Sequence, residues 1–399
     1  MNGERTADPD RDTRRWGVLA LLSAAVSIGM TPWLVSSALA PYFSSAWNLS
    51  ADEAGWLSTI VQLGFVAGTA ASAFLNLPDI LAPRLLFGGS AALVAAANAA
   101  LTLTSSYPAA LASRFMTGFF LAGVYPPAMK MVSTWFRAGR GLAIGTLVGS
   151  LVVGKATPWL AHSVAGANGR AIILATSLAS LVAGLLVATL YRDGPYPFAR
   201  RPFSLGRVRT VLAHRETRLA IAGYMGHMWE LYAMWVWLPA FLAASSAGRV
   251  PPGTVDALSF AALACGGLGS VWAGWFADRR GRALTVILSM AASGGCALVI
   301  GAFFGGSFWI LAPIAFIWGF FIVADSAQFS AMVTESAPPD AVGTALTLQT
   351  SLGFLLTMVT LQAVPRIVEA KAWGWPWAFC GLSIGPALGI VAIRRLARR

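Results

Sequence analysis

The sequence contains few charged residues and few of the residues that build metal sites or disulfides. Only 11% of its 399 residues are charged, and it has 3 cysteines and 3 histidines. The cysteines at positions 265, 296 and 380 show no CxxC spacing, and neither an HExxH segment nor a Walker loop with its lysine occurs. These absences argue against metal-dependent hydrolysis and ATP-driven pumping, so no metal and no other cofactor is expected.

The one match to a serine-nucleophile motif lies in a setting that cannot support catalysis. The segment from Gly381 to Gly385 matches G-x-S-x-G, but that motif requires a strand-to-helix turn and a nearby base. Here the match lies inside an apolar run that is predicted to be a helix. The sequence therefore predicts that the protein is not an enzyme.

Apolar residues make up 57% of the chain, more than a soluble globule of this length could bury. A helix of about 20 apolar residues crosses a bilayer core, whereas barrel strands need only about ten and alternate. The sequence predicts an all-α membrane protein with twelve transmembrane helices in a lipid bilayer. The apolar runs begin near Trp16, Ala54, Leu85, Ala109, Gly141, Ala171, Leu219, Ala257, Ala283, Ser307, Gly343 and Trp375.

The formal net charge of +12 is unevenly distributed over the connections between these runs. Lysine and arginine concentrate in the tail up to Arg15, between Arg192 and Arg218, and from Arg394 onward. Basic residues favour the cytoplasmic side of a membrane. We therefore expect a multi-pass protein of the bacterial inner membrane with both termini in the cytoplasm, and the basicity requires no nucleic-acid partner.

The longest basic connection divides the chain near its middle. It is polar, contains prolines and separates six predicted spans from the following six. We expect an N-terminal six-helix bundle at 1–191, a cytoplasmic linker at 192–216 and a C-terminal six-helix bundle at 217–399.

A weak internal repeat supports this division. The tripeptide Gly-Phe-Phe at 118–120 recurs at 319–321, which is 201 positions later, and Asp79 and Asp278 lie 199 positions apart. Two matches at nearly half the chain length indicate paired repeats.

A charged segment follows the eighth apolar run and carries Gly274, Asp278, Arg279, Gly281 and Arg282. These residues fit the pattern G-x-x-x-D-R-x-G-R, and the chain resembles the major facilitator superfamily of secondary transporters. The resemblance implies two six-helix bundles and transport of a small molecule by alternating access, usually in a single chain that acts as a monomer.

The same segment is predicted to be a conformational latch. The Asp278 carboxylate can bind the N-terminus of a neighbouring helix or pair with Arg279 or Arg282. The alternative is that the arginines only orient the chain in the membrane. The first-half copy keeps Asp79 and Arg84 but lacks the glycines.

Two cations inside predicted spans, Arg114 and Lys155, are candidate ligands of an anion. Helix rise places both in the outer half of the membrane, where two cations repel unless an anion lies between them. The resemblance of "RFMTGFFLAG" to the family's fourth-span motif also implies a role for Arg114 in proton coupling. The alternatives are snorkelling of Arg114 to lipid headgroups and a structural salt bridge for Lys155.

His227, Glu230 and Asp325 are candidate proton carriers. His227 and Glu230 are three residues apart and therefore share one face of the seventh span. Intramembrane carboxyl and imidazole groups are costly and often belong to proton pathways. Structural hydrogen bonding is the alternative for all three, and Lys130 is a possible partner of Asp325.

Three further residues complete the predicted substrate site. Tyr125 precedes Pro126 and Pro127, which interrupt the fourth span and expose backbone carbonyls. Trp229 belongs to an aromatic series in the seventh span, and Gln349 is a polar residue of the eleventh. A static kink and lipid contacts are the alternatives for Tyr125 and Trp229.

These residues favour proton-coupled transport of a small anion. The alternative is proton-coupled efflux of amphipathic drugs, with aromatic side chains lining the site and Glu230 binding a cation. A third hypothesis, a membrane receptor that does not transport, ranks last because the sequence shows no appended soluble domain to relay a signal.

Overall fold

The computed structural model describes residues 12–165, 168–196, 204–246, 248–370 and 374–398. Within these ranges the chain forms helices and turns and contains no strand. Part of the predicted linker, residues 197–203, lies outside the described residues, and the domain boundaries stay a prediction.

The longer helices are numbered here in chain order. They are α1 (Arg14–Gly29), α2 (Ala51–Phe74), α3 (Pro83–Ala100), α4 (Tyr107–Leu121), α5 (Tyr125–Ser133), α6 (Arg140–Ala165), α7 (Gly169–Leu190), α8 (Arg215–Ser246), α9 (Pro252–Arg280), α10 (Arg282–Val299), α11 (Phe308–Ala324), α12 (Ser326–Ser336), α13 (Val342–Glu369) and α14 (Ile384–Ala397). Short helices and 3-10 turns connect them: Thr31–Leu34, Val35–Ala38, Ala40–Trp47, Leu77–Ile80, Leu101–Leu103, Leu205–Arg207, Val208–Ala213, Ile300–Phe303, Trp375–Trp377 and Cys380–Ser383.

Ten helical segments in the described part of the chain are long and apolar enough to cross a membrane. The fourth and seventh predicted spans are not among them. The fourth consists of α4 and α5, which are 15 and 9 residues long. The seventh is α8, which has 32 residues but carries histidine, glutamate and several tyrosine and tryptophan side chains that lower its hydropathy. The helices are consistent with the predicted count of twelve spans.

Two predicted spans are broken near their middle. Helix α4 ends at Leu121 and α5 begins at Tyr125, followed by two prolines that cannot donate the hydrogen bonds of a continuous helix. Helix α11 ends at Ala324 and α12 begins at Ser326, which leaves Asp325 in a turn without a proline. Both breaks place backbone carbonyls at membrane depth.

Local sequence fixes where α2 begins. The Ser50 hydroxyl accepts a hydrogen bond from the backbone N–H of Glu53, and the Glu53 carboxylate accepts one from the backbone N–H of Ser50. This capping box satisfies two of the N–H groups that the first turn of a helix leaves unpaired. It orients α2, whose inner face contributes to the site described below.

Matching glycines hold the two halves of the chain in matching geometry. A Cβ atom added at Gly118 would overlap the carbonyl oxygen of Val61, and one added at Gly319 would overlap that of Ala262. Both members of the second pair lie 201 positions after those of the first. A second pair of contacts has the same spacing. A Cβ atom added at Gly68 would overlap the carbonyl oxygen of Phe119, and one added at Gly269 would overlap that of Phe320. The repeat noticed in the sequence therefore corresponds to repeated backbone contacts between helices.

Replacing Gly319 by alanine is expected to destabilise the protein by about 3 kcal/mol or more, because the new methyl group meets a backbone carbonyl that no rotamer change can move. The measurement is the thermal unfolding midpoint of purified protein in detergent. Gly295→Ala is the control, since a Cβ there has no atom within 4 Å. Equal midpoints for the two variants would contradict this packing.

Helices α6 and α9 form the main contact between the first and second halves. A Cβ at Gly145 would lie 2.6 Å from the carbonyl oxygen of Ser270, and one at Gly149 would lie 2.7 Å from that of Gly267. Close approach of small residues is the usual packing mode of membrane helices. This contact brings Lys155, farther along α6, toward the residues of α8.

Candidate functional site

Lys155 lies on α6 with its ammonium group enclosed by aromatic rings. Its side chain is 3% exposed, and Nζ lies 3.6 Å from the ring centroid of Trp33 and 5.2 Å from that of Trp235. Nζ also donates a hydrogen bond of 2.5 Å to the Tyr232 hydroxyl. The salt bridge considered above is not observed, since the described residues supply no acidic partner to Lys155. Its positive charge is therefore met only by ring faces and one hydroxyl.

Arg114 lies on α4 and is 0% exposed, so its side chain is enclosed by protein. One terminal nitrogen donates to the Trp33 carbonyl oxygen at 2.7 Å and the other to Asn98 Oδ1 at 3.1 Å, while Nε is buried without a partner. Asn98 in turn donates to Thr176 and other groups of α7. Arg114 and Lys155 thus contact the same residue, one at its carbonyl and the other at its ring.

Five rings form what we call the aromatic cluster: Trp33, Phe65, Tyr232, Trp235 and Phe354. Ring centroids are 4.9 Å apart for Trp33 and Phe65, 4.6 Å for Phe65 and Phe354, and 5.3 Å for Phe354 and Tyr232. Trp33 and Phe65 come from the first half of the chain, and the other three come from α8 and α13 in the second. The cluster closes over Lys155 from both halves.

Several buried polar atoms next to the aromatic cluster have no hydrogen-bond partner. Gln62, one helical turn before Phe65 on α2, is 0% exposed, and neither atom of its amide is paired. The same holds for the indole nitrogens of Trp33 and Trp235 and for Oε1 of Gln362. Each such atom costs about 1–3 kcal/mol when it is left unpaired. Trp33 and Trp235 also carry rings that contact Lys155 Nζ, so unpaired donors border the buried ammonium.

The predicted proton carriers are buried, but they form two separate contacts. His227 Nδ1 lies 2.9 Å from Asp325 Oδ1, an ion-pair distance without hydrogen-bond alignment. Glu230 accepts hydrogen bonds from Trp318 Nε1 at 2.6 Å and from the Ser293 hydroxyl at 2.9 Å. His227 and Glu230 share a helix face as predicted, yet each has its own partner. The near partner of Asp325 is His227 rather than Lys130.

The remaining predicted substrate residues are not all brought together. Trp229 donates to the carbonyl oxygen of Gly381 at 3.0 Å and lies beside α14, away from the aromatic cluster. Tyr125 is half-buried at the start of α5. Gln349 is buried on α13, with a weak contact of 3.5 Å to Ser330 and an unpaired Oε1. Trp229 is therefore not included among the binding residues proposed below.

The predicted latch lies where α9 meets the start of α6. A Cβ at Gly274 would lie 2.6 Å from the Gly141 carbonyl oxygen, and one at Gly141 would lie 2.5 Å from a carboxylate oxygen of Asp278. The carboxylate thus sits against the first turn of α6, where the helix dipole favours a negative charge. Gly281, with φ of +86°, ends α9 in a backbone conformation that favours glycine.

The arginines of this segment do not pair with Asp278. Arg282 reaches across to α12, where it contacts Glu335 at 2.8 Å and Gln328 at 3.1 Å. Arg279 stacks on Trp275 of its own helix at 4.2 Å. In the first-half copy Arg84 is exposed at the start of α3, and the Asp79 side chain lies outside the described part of the structure.

A set of polar contacts joins the two halves at the end of the molecule away from the chain termini. Gln362 Nε2 donates to the Thr59 hydroxyl at 2.8 Å. His162 Nδ1 lies 2.8 Å from Asp256, and Arg366 lies 3.8 Å from Asp52. Together with the aromatic cluster, these contacts close this end of the molecule over Lys155.

Ionisable groups buried between two similar sets of apolar helices define a membrane transporter. The family model of the Major Facilitator Superfamily matches residues 21–361, and the chain belongs to that family. The predicted all-α fold and the family resemblance are confirmed.

A crystal structure of a mutant form of the nucleoside transporter NupG has a TM-score of 0.70 to this structure at 13% sequence identity. The match covers 96% of this chain and 100% of the other. At this identity the likeness supports the fold alone. Comparison with curated protein sequences finds no match.

The sequence analysis missed Trp33, Gln62 and Asn98. Trp33 follows Pro32, which ends α1 and starts a 3-10 turn, so a proline inside the first apolar run was an available signal. Gln62 and Asn98 are amides inside apolar runs, and the cost of placing an amide there was a second signal.

Proposed function

We propose that this transporter moves a small anion by alternating access and couples its movement to protons. The observation that supports this best is the buried ammonium of Lys155, which has no acidic partner among the described residues. A buried charge without a counter-ion costs several kcal/mol. An anionic solute supplies the missing charge and would gain a charge-assisted bond in return.

Arg114 supports the anion through its unpaired Nε and through its bond to the Trp33 carbonyl. It adds positive potential next to the aromatic cluster without an acid to cancel it. The same two cations argue against the drug-efflux alternative, because a hydrophobic cation would be repelled from this site.

The proton pathway in this proposal runs through the second half of the chain. Glu230 and Asp325 are buried acids on α8 and at the break after α11, and acids at such positions are typical of proton relays. The same proposal places the protein in the bacterial inner membrane with both termini in the cytoplasm.

A second candidate solute is a neutral molecule with a hydrogen-bonding ring, such as a nucleoside. It is favoured by the unpaired amide of Gln62, one helical turn before Phe65, and by the unpaired Oε1 of Gln362. The anion and the nucleoside are distinguished by uptake of labelled benzoate, cyclohexanecarboxylate and uridine into proteoliposomes with an imposed pH gradient. Uptake of uridine without uptake of either benzoate or cyclohexanecarboxylate would reject the anion.

Glu230→Gln is expected to uncouple transport from protons. The amide keeps the size of the side chain and can still accept from Trp318, so the fold is retained while the titratable group is lost. We expect accumulation driven by the pH gradient to fall at least about tenfold, which corresponds to a loss of about 1.4 kcal/mol of driving free energy. Exchange of labelled for unlabelled solute should continue.

The matched control is Glu369→Gln, which removes an exposed carboxylate at the end of α13. It should leave pH-driven accumulation close to that of the unmodified protein. Full accumulation in Glu230→Gln would remove Glu230 from the proton pathway and leave His227 and Asp325 as the groups to test.

A further inference from the structure

We infer that the solute is an aromatic carboxylate whose ring enters the aromatic cluster and whose carboxylate binds Lys155. This inference rests on the proposed anion transport and specifies the body of the anion. The site presents a ring surface and a positive charge side by side, since Lys155 Nζ lies 3.6 Å from the centroid of the Trp33 ring. A carboxylate attached directly to an aromatic ring has the same arrangement.

The aromatic cluster has the composition to hold such a ring from two sides. Trp33 and Phe65 come from the first half of the chain, and Tyr232 and Phe354 come from the second. Their rings are tilted toward one another, with interplanar angles of 59° for Trp33 and Phe65 and 51° for Tyr232 and Phe354. These rings contact one another and are at most 8% exposed, so a solute ring would enter as the two halves separate and would then meet both faces and edges, the arrangements that aromatic pairs prefer.

Unpaired polar atoms border the aromatic cluster. Gln62 is fully buried with both amide atoms unpaired, and the indole nitrogens of Trp33 and Trp235 lack acceptors. A carboxylate beside Lys155 supplies acceptors to such donors.

Lys155 and Arg114 also determine how the charged end of the ligand is oriented. Lys155 is held on the ring side of Trp33, and Arg114 is held on its backbone side. Trp33 therefore lies between the two cations, and an aromatic carboxylate with its charged end toward Lys155 would supply a counter-charge to the cation on the ring side. A purely aliphatic anion would satisfy the charge but leave the ring surfaces without an aromatic partner.

The test measures the affinity of the full chain, reconstituted in nanodiscs, for benzoate, cyclohexanecarboxylate and benzamide by isothermal titration. These probes share size and differ in aromaticity or charge. Benzoate is expected to bind at least about tenfold more tightly than cyclohexanecarboxylate, because two aromatic ring contacts of ordinary strength together contribute enough binding free energy for that ratio. Benzamide is expected to bind at least about tenfold more weakly than benzoate.

Each outcome has a separate meaning. Equal affinity for the two carboxylates overturns the aromatic inference and leaves anion transport intact. Benzamide binding as tightly as benzoate overturns anion transport itself. Absence of benzoate binding also overturns the aromatic inference.

Phe354→Leu tests the ring contacts within the protein. It removes one ring from the aromatic cluster but no partner of Lys155, and we expect the ratio of benzoate to cyclohexanecarboxylate affinity to fall about fivefold. Phe276→Leu is the control, since Phe276 stacks on Trp272 outside the aromatic cluster and should leave the ratio unchanged. An unchanged ratio in Phe354→Leu contradicts the inferred position of the ring.

Discussion

Lys155→Met is expected to abolish uptake of an anionic solute. Methionine fills a similar volume against Trp33 and Tyr232 but removes the ammonium group that would bind the anion. Loss of one member of a buried charge pair costs about 2–5 kcal/mol, which corresponds to at least about a thirtyfold loss of affinity. The measurement is the initial rate of labelled benzoate uptake into proteoliposomes at equal protein density.

The same variant should become more stable while it loses transport. The unmodified protein buries a cation that has no acidic partner in the described structure, and replacing such a group by an apolar side chain relieves a desolvation cost. We expect a higher thermal unfolding midpoint for Lys155→Met in the absence of solute, with no further increase when benzoate is added. Unchanged uptake would exclude Lys155 from the site, and a lower midpoint would contradict its unpaired burial.

A covalent link between Thr59 and Gln362 is expected to stop transport. Their side chains are hydrogen-bonded at 2.8 Å across the two halves, and alternating access requires the halves to separate at this end. Cysteines at both positions, placed in a chain whose three native cysteines are replaced by alanine, can be joined by a short bifunctional thiol reagent. We expect the linked protein to retain less than about a tenth of its uptake rate, equivalent to more than about 1.4 kcal/mol on the barrier.

The control places the cysteines within one half, at Ala91 and Ser180. The Ser180 hydroxyl donates to the Ala91 carbonyl at 3.2 Å, so a link there joins α3 to α7 without crossing between halves. A reagent with a cleavable disulfide restores uptake on reduction if the loss comes from the link itself. Normal uptake by the linked Thr59–Gln362 protein would show that this contact does not open during transport.

The architecture was predictable because it depends on features that a single sequence contains. Apolar runs long enough to cross a bilayer, the charge asymmetry and the G-x-x-x-D-R-x-G-R segment led to the helical fold and to the family. The prolines after Tyr125 indicated a broken fourth span, and the structure ends α4 at Leu121. The corresponding break at Asp325 has no proline and gave no such signal.

The site was only partly predictable because a membrane helix can be apolar on every side. Trp229, Tyr232 and Trp235 lie within two turns of α8, and no polar face distinguishes the lipid side from the interior. The structure places Tyr232 and Trp235 beside Lys155 and directs Trp229 toward α14. Arg114 and Lys155, which helix rise predicted to lie at a similar depth, contact the same residue, Trp33, through its carbonyl and its ring.

The glycine contacts have a mechanical consequence. Within each half, Gly118 and Gly319 place helix backbones so close to the carbonyls of Val61 and Ala262 that the helices cannot slide past each other. Between the halves, α6 and α9 also meet through glycines, but the contacts are longer, at 2.6 Å for a Cβ on Gly145 and 2.7 Å for one on Gly149. The closest glycine contacts therefore lie within the halves, and a rotation of one whole half against the other leaves them undisturbed.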